Sequence, residues 1–286
     1  MVIKKLLSKI YNNLLFYAGI VATLTIAGYP FIQMLFSSLK EESQQYVYPP
    51  SLLPEGGLSE LTLINFQEVL NPEIFPFIRF FANSFVVSFI SAGLAVGIAV
   101  FGAYSFARLK YTGRRFLQRS IILVYMFGGI LLVIPLYQII VSVDLADTHL
   151  ALIIVYLMQV LPVALYMLGN YFRSVPYEIE ESAMIDGCTR IQAIVKIVIP
   201  LSKPAMVAVF IYAFMIAWNE YLFASIFLMS PENHTLPIGL DQLFYTEHQI
   251  WGRMMASSLL TGIPIIILFL ALQKYITKGL TAGSLD

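Results

Sequence analysis

Charged side chains able to act on a partner in water are concentrated between Pro176 and Pro204. The stretch opens with four acidic residues: Glu178, Glu180, Glu181 and Asp186. Carboxylates are favourable near the positive end of a helix dipole, so the acids suit the start of a helix. This composition predicts a charged surface that docks against another molecule.

Local signals predict two short helices joined by a turn. Pro176 suits the first turn of a helix, where its missing N–H costs nothing. Gly187 follows Asp186 and predicts the turn, because glycine tolerates a positive φ. Thr189 can cap a second helix. Apolar residues then recur at helical spacing and predict a stripe on its underside: Ile191, Ile194, Val195 and Val198.

The spacing across this stretch resembles a known family pattern. The pattern is Glu-Ala-Ala, three residues, Gly, nine residues, Ile, one residue, Leu-Pro, the EAA loop of ABC importer permeases. This chain matches it with Glu181-Ser182-Ala183, Gly187, Ile197 and Ile199-Pro200. It departs only by Ser182 for Ala and Ile199 for Leu.

The resemblance implies that residues 172–203 form a cytoplasmic coupling loop, whose helix docks into a cleft on an ATPase subunit. The residues it implicates in ATPase coupling are Glu178, Glu181, Ser182, Ala183, Asp186, Gly187, Ile197 and Pro200. The alternative is an interfacial amphipathic helix without a partner.

Composition places the rest of the chain in lipid. Of its 286 residues, 59% are hydrophobic and 12% charged, against about 25% charged in soluble domains. The net charge is zero, which gives no electrostatic footprint for nucleic acid. The lone cysteine, Cys188, rules out an intrachain disulfide framework, and no Cys/His cluster suggests a metal site.

Six apolar runs are long enough to cross a hydrocarbon core of about 30 Å. We therefore predict an all-α, polytopic protein with six transmembrane helices and, by resemblance, the type I ABC importer permease fold. The predicted spans are 12–37, 81–107, 120–141, 149–171, 205–227 and 255–275. In the polar stretch between the first two, a short helix is expected at 65–70. We expect an N-terminal helix and extracytoplasmic loop (1–80), a core permease domain (81–276) and a cytoplasmic tail (277–286).

The distribution of Lys and Arg predicts the orientation. With six spans, 14 of the 17 fall on the side of the coupling loop and of both termini. Only Lys40, Arg79 and Arg253 fall on the other side. Because cytoplasmic loops carry the excess of Lys and Arg, we expect both termini and the coupling loop to be cytoplasmic.

Further segments resemble carbohydrate ABC permeases, specifically the MalG-like subunit of maltose-type importers. They include Asn83-Ser84-Phe85, the run from Ala103 to Arg108, Ile185-Asp186-Gly187, Trp218-Asn219-Glu220-Tyr221 and the tail from Gln273 to Gly283. By this resemblance, part of the tail contacts the ATPase dimer: Lys278, Gly279, Thr281 and Gly283.

The resemblance also implies the partners. They are a second, MalF-like permease, two ABC ATPase subunits and an extracytoplasmic sugar-binding protein. No G-x-x-x-x-G-K-[ST] segment occurs in the 286 residues, so we expect ATP and Mg on the partner ATPase, no cofactor on this chain and no catalytic residue.

Polar and aromatic residues in or near the spans are candidates for a solute pathway. They are Trp218, Asn219, Glu220, Tyr221 and Gln159. Intramembrane acids are costly and usually face protein or water. Glu220 could therefore line the pathway, pair with the partner permease or lie near the outer interface. Trp218 and Tyr221 could stack on a sugar or belong to an aromatic belt.

The sequence is compatible with three functions. The first is the non-catalytic translocation subunit of an ATP-driven carbohydrate importer, with a di- or oligosaccharide as solute. The second is a permease of the same kind for a phosphorylated polyol such as glycerol phosphate. The third is a stand-alone secondary transporter, which the intact coupling pattern and the lack of membrane-buried acid pairs disfavour.

Overall fold

A computed structural model describes residues 2–48, 51–126, 128–244 and 250–281. Within these ranges every regular element is helical, which confirms the predicted all-α class. The helices are α1 (Val2–Ser38), α2 (Glu42–Gln45), α3 (Ile64–Leu70), α4 (Phe77–Arg108), α5 (Arg114–Met126), α6 (Gly129–Ser142), α7 (His149–Ser174), α8 (Tyr177–Ile185), α9 (Arg190–Ala193), α10 (Ile199–Leu201), α11 (Lys203–Trp218), α12 (Leu222–Phe227), α13 (Leu236–Phe244) and α14 (Trp251–Thr281). The predicted short helix at 65–70 is α3.

Four described helices are long and apolar enough to cross a membrane, and they lie in α1, α4, α7 and α14. Two bent pairs raise the number to six if each pair is one span. They are α5 with α6, bent by 99°, and the stretch Arg190–Leu201 with α11, bent by 77°. The predicted number of spans agrees with the upper figure, but the second pair begins inside the predicted coupling loop, 172–203, and not at residue 205.

Two predicted spans need correction. The run 120–141 is not one straight helix, because α5 ends at Met126 and α6 begins at Gly129 after Gly128, whose φ is +69°. The run 205–227 is also interrupted, because α11 ends at Trp218 and α12 begins only at Leu222. Apolar composition sets where a chain can enter lipid, but it does not mark where the backbone hydrogen bonds break.

The contacts divide the chain into two compact units, Met1–Pro76 with Gln242–Thr261, and Phe77–Asp241 with Gly262–Asp286. In the first unit Asn65 joins the end of α1 to α3, because its amide donates to the carbonyls of Ser38 (2.9 Å) and Lys40 (2.8 Å). Arg253 of α14 pairs with Glu68 of α3 at 2.6 Å. The predicted boundary at residue 80 stays a prediction.

In the second unit, α4 packs along α7 and α11. Small residues let α4 and α7 approach closely, and a Cβ at Gly102 would lie 2.6 Å from a methyl carbon of Leu165. A cluster of buried apolar side chains continues this packing into α12, with Tyr156, Phe223 and Phe227 among its largest members. The second unit contains residues 172–203, the predicted coupling loop.

Candidate functional site

The turn of the coupling loop is confirmed. Gly187 has φ +91°, and its N–H donates to the carbonyl of Met184 (3.2 Å) while that of Cys188 donates to Ala183 (3.0 Å). These bonds satisfy carbonyls that the end of α8 leaves without helical partners. Pro176 lies one residue before the first residue of α8.

The cap of the second short helix is also confirmed. The Thr189 hydroxyl accepts from the N–H of Gln192 (3.3 Å), and the Gln192 side chain accepts from the N–H of Thr189 (2.8 Å). This reciprocal capping box fixes the start of α9. A π-helical turn, Ile194–Val198, then leads into α10.

The predicted apolar stripe is wrong for half of its residues. Ile194 and Val198 are buried, but Ile191 is 68% exposed and Val195 is also exposed. The prediction fails because Ile194–Val198 forms a π-helical turn, so the α-helical spacing on which the stripe was based does not continue through it. The buried pair holds the loop against this chain, and the other pair remains on the surface.

The outward face of the loop combines apolar and acidic side chains. Ile185 is 85% exposed, and Ile179, Glu178 and Glu181 are exposed beside it on α8. Contiguous exposed apolar side chains with a polar rim mark protein interaction sites. The other implicated residues divide between the two faces: Ser182, Asp186, Gly187 and Pro200 are exposed, Ile197 is half-buried and Ala183 is buried.

The acid that faces inward is Glu180, which the sequence did not single out beyond its place in the first turn. Its side chain is 1% exposed, and one carboxylate oxygen lies 2.9 Å from Nε of Arg108. The other accepts from the hydroxyl of Tyr104 at 3.0 Å. Both partners lie in the last turns of α4, within the run Ala103–Arg108 that resembles the family. That run was the available signal, but nothing local pairs it with Glu180.

The structure describes three of the four tail residues that the resemblance implicates in ATPase contact. Lys278, Gly279 and Thr281 belong to α14, so the helix continues past the predicted end of the sixth span at residue 275. Gly283 lies outside the described residues. The implied contact of this tail with the ATPase dimer stays a prediction.

A cavity of about 500 Å³ lies where α5 and α6 meet α7, α11 and α12. Its lining is mainly apolar, with four polar side chains: Tyr125, Gln159, Tyr212 and Glu220. A mostly apolar cavity with a few polar groups is the usual form of a small-molecule site. Of the predicted pathway residues, Gln159 and Glu220 both line this cavity. Tyr125 and Tyr212 also line it, and the sequence did not indicate them as pathway residues.

Glu220 has a local role in the backbone. Its carboxylate oxygens accept from the N–H groups of Phe223 (2.9 Å) and Ala224 (3.1 Å), at the start of α12. An acid at this position satisfies donors that the helix leaves unpaired. These two bonds position α12 against the cavity.

The other pathway candidates do not line the cavity. Trp218 is 1% exposed and stacks on Phe214 with ring centroids 5.5 Å apart, so it is a core residue of this chain. The Asn219 amide donates to the carbonyl of Met215 at the end of α11, and the Tyr221 hydroxyl donates to Asp241 at 2.7 Å.

A second polar network, which the sequence did not predict, joins the loop before α7 to the loop after α12. The carboxylate of Asp147 accepts from the N–H groups of Met229 (2.8 Å) and Ser230 (3.1 Å) and from the Ser230 hydroxyl. Asn233 donates to the carbonyl of Asp147, and its own carbonyl lies 2.9 Å from Nε2 of His149. Burial alone would raise the pKa of Asp147. The hydrogen bonds from Ser230 and Met229 have the larger, opposite effect, and the pKa is lowered to about 2.

Comparison with known proteins matches residues 90–282 to a family described as the binding-protein-dependent transport system inner membrane component. The Escherichia coli K12 inner membrane ABC transporter permease protein YcjP is 47% identical over 268 residues, 94% of each chain. The trehalose/maltose transport system permease protein MalG of Thermococcus litoralis is 32% identical over 279 residues, 97% of this chain and 98% of that protein.

The fold is that of a solved ABC importer permease. A chain of a bacterial ABC transporter involved in the import of the acidic polysaccharide alginate superposes with a TM-score of 0.77 at 24% identity, covering 94% of this chain and 96% of that one. The likeness confirms the predicted fold class.

Proposed function

This chain belongs to the family of binding-protein-dependent transport system inner membrane components, and from that premise we propose that it is the permease subunit of an ATP-driven carbohydrate importer. It is a multi-pass membrane protein and a translocation subunit. A di- or oligosaccharide is the solute we propose, because the similar MalG of Thermococcus litoralis is named for trehalose and maltose transport.

The outward face of the coupling loop is the observation that carries the proposal. Ile185, Glu178 and Glu181 are exposed on α8 and Ile191 is exposed on α9, while the buried carboxylate of Glu180 holds the loop to α4. We propose that this face occupies a cleft on an ABC ATPase subunit. Burying the isoleucines would stabilise the contact by about 25 cal/mol per Å² of apolar surface removed from water.

The remaining partners follow from the same assembly. The proposed complex contains a MalF-like second permease, two ATPase subunits that bind ATP and Mg, and an extracytoplasmic sugar-binding protein. The family description, a binding-protein-dependent system, supports the last of these. The absence of a phosphate-loop sequence in the 286 residues supports placing ATP hydrolysis on another chain.

The orientation we propose has both termini and the coupling loop in the cytoplasm. The excess of Lys and Arg on that side supports it. It places the coupling loop where a cytoplasmic ATPase can reach it.

In the proposed cycle, ATP closes the ATPase dimer and its cleft moves α8 as a rigid body. The spans attached to α8 then open the permease pair towards the sugar-binding protein, and hydrolysis returns them. The sharp turn at Gly187 supports this mechanism, because a docked helix transmits motion only if its ends are fixed.

The cavity beside Gln159 is our candidate for solute contact on this chain. Its amide and the hydroxyls of Tyr125 and Tyr212 can exchange hydrogen bonds with sugar hydroxyls, and Phe223 offers an apolar surface. Trp218 is buried in the core, which argues against a stacking role for its ring.

The test is reconstitution of the full complex in proteoliposomes with a panel of sugars and glycerol phosphate. We expect the ATPase to co-purify with this chain, and a sugar presented by the binding protein to stimulate ATP hydrolysis and enter the vesicles. Failure of the ATPase to co-purify, or stimulation by glycerol phosphate alone, would contradict the proposal.

A further inference from the structure

A buried polar cluster ties α8 to the end of α4. The Glu180 carboxylate lies 2.9 Å from Arg108 and 3.0 Å from the hydroxyl of Tyr104. The Arg108 guanidinium also donates to the carbonyl of Val175 at 2.5 Å and lies 5.4 Å from the ring centre of Tyr177. One arginine therefore holds the end of α7, the start of α8 and the inward acid of α8 together.

This cluster is too buried to be a solvated ion pair. The Glu180 side chain is 1% exposed and that of Arg108 is 10% exposed. A buried carboxylate without its cation is strongly destabilising, so the pair resists separation when α8 is pushed or pulled. An exposed ion pair contributes little stability and separates easily, so it would not transmit a movement of α8 to α4.

The cluster connects α8 to α4 through side-chain contacts, and this connection differs from the covalent links of α8 to its neighbours in sequence. Along the chain α8 is joined to α7 through Val175 and Pro176, and to α11 through the rest of the coupling loop. Helix α4 is distant in sequence but packs along both α7 and α11. An attachment to α4 would therefore let one movement of α8 shift all three helices as a block.

We propose that Glu180, held by Arg108 and Tyr104, is the positioning residue that makes α4 move with the coupling helix, so that its loss uncouples ATP hydrolysis from solute transport. The inference rests on the proposed function, since it assigns a mechanical role within that importer. Glu178 and Glu181 face outward on the same helix and are not part of this attachment.

The experiment measures solute transported per ATP hydrolysed by the reconstituted complex. Glu180→Gln keeps the size of the side chain but removes the charge, and we expect this ratio to fall about tenfold, because the buried ion pair with Arg108 is lost. Tyr104→Phe removes one bond and keeps the packing, so a smaller fall is expected. Co-purification with the ATPase should persist in both, because the outward face is intact.

Glu68→Gln is the matched control, because Glu68 also pairs with an arginine, Arg253, but lies in the other compact unit. We expect the ratio of the Glu68→Gln complex to equal that of the wild type. If Glu180→Gln assembles and transports with the wild-type ratio, the inference is overturned while the proposed function stands.

If Glu180→Gln fails to assemble, Tyr104→Phe decides. A lowered ratio with normal co-purification supports the attachment, and an unchanged ratio overturns it. If the wild-type complex shows no solute-stimulated ATP hydrolysis, the proposed function itself fails, and that result is distinct from any result with the variants.

Discussion

Asp147 and Ser230 are joined side chain to side chain and side chain to backbone across 83 positions of sequence. The bond links the loop between α6 and α7 to the loop that follows α12. Both loops lie at the end of the second unit opposite the coupling loop in the predicted topology, where a binding protein would approach. In the network around Asp147, four of the hydrogen-bonding groups are backbone N–H or carbonyl groups, so the network fixes the conformation of both loops.

The first prediction concerns this network. Asp147→Asn removes the charge but keeps a residue that tolerates the positive φ of 57° at this position. We expect the purified protein to lose roughly 1–2 kcal/mol of stability, measured by thermal unfolding in detergent, because charge-assisted bonds become neutral ones. Asp144→Asn is the control, since Asp144 also has a positive φ (55°) but its exposed side chain takes no part in the network.

The same carboxyl predicts a pH dependence. Its pKa is lowered in the folded protein from 3.8 to about 2, so its stabilising contribution is complete above about pH 4 and is lost as pH falls towards 2. Unfolding temperatures of wild type and Asp147→Asn should therefore converge in that window. Equal differences at pH 3 and pH 7 would show that the charge is not the cause.

The second prediction concerns the turn after α8. Gly187→Val places a β-branched residue at φ +91°, at a cost of roughly 1–2 kcal/mol. We expect transport per ATP to fall roughly tenfold, the factor for 1.4 kcal/mol, because the docked helix is no longer fixed at its end. Gly187→Asn is the control and should retain more coupling, since Asn adopts positive φ more readily. Normal transport by the valine variant would refute the assignment of this loop.

The third prediction concerns the cavity. Gln159→Leu should raise the KM for sugar transport roughly 2- to 10-fold, corresponding to one hydrogen bond of 0.5–1.5 kcal/mol, with unchanged basal ATP hydrolysis. Uptake rates across the sugar panel provide the measurement. Asn170→Leu lies on the same helix away from the cavity and should leave KM unaltered. If both variants, or neither, change KM, solute does not contact this cavity through Gln159.

The fourth prediction concerns orientation. In a Cys188→Ser background expressed without the ATPase, Ile185→Cys should react with a membrane-impermeant maleimide only when the cytoplasmic face is accessible, as in inverted vesicles. Met229→Cys, on the opposite side in the predicted topology, should react from the outside of intact cells. Both native residues are well exposed, so access depends on the membrane side. Labelling of Ile185→Cys in intact cells would show that this residue lies outside and would contradict the predicted orientation.

The fifth prediction concerns the tail. Truncation after Lys274 removes Lys278, Gly279, Thr281 and Gly283, and we expect solute-stimulated ATP hydrolysis to fall towards the basal rate. Truncation after Gly283 is the control, since it retains all four. Full stimulation in the shorter protein would argue against a contact between the tail and the ATPase.

Local chemistry predicted the elements whose causes are local. The turn at Gly187 and the cap at Thr189 need only the preferences of residues near them in sequence, and both are present. The six apolar runs likewise follow from composition. Breaks within runs are harder to predict. Asn219 and Glu220 follow Trp218 directly, but two polar residues inside an apolar run do not by themselves show that the helix ends there.

Features that depend on distant partners could not be predicted. Whether Glu180 faces water or protein depends on Arg108 and Tyr104, which lie on another helix. The cavity residues Tyr125 and Tyr212 likewise come together only through folding. In each case the sequence shows the type of residue, but it does not show which residue of another helix lies beside it in the fold.

The 85% exposure of Ile185 has a consequence for the cell. In the proposed importer, a newly inserted copy that has not bound an ATPase subunit exposes this isoleucine to water, where chaperones and proteases recognise exposed apolar groups. We therefore expect copies made in excess of the proposed ATPase to be degraded, so that the steady-state abundance of this subunit follows that of the ATPase.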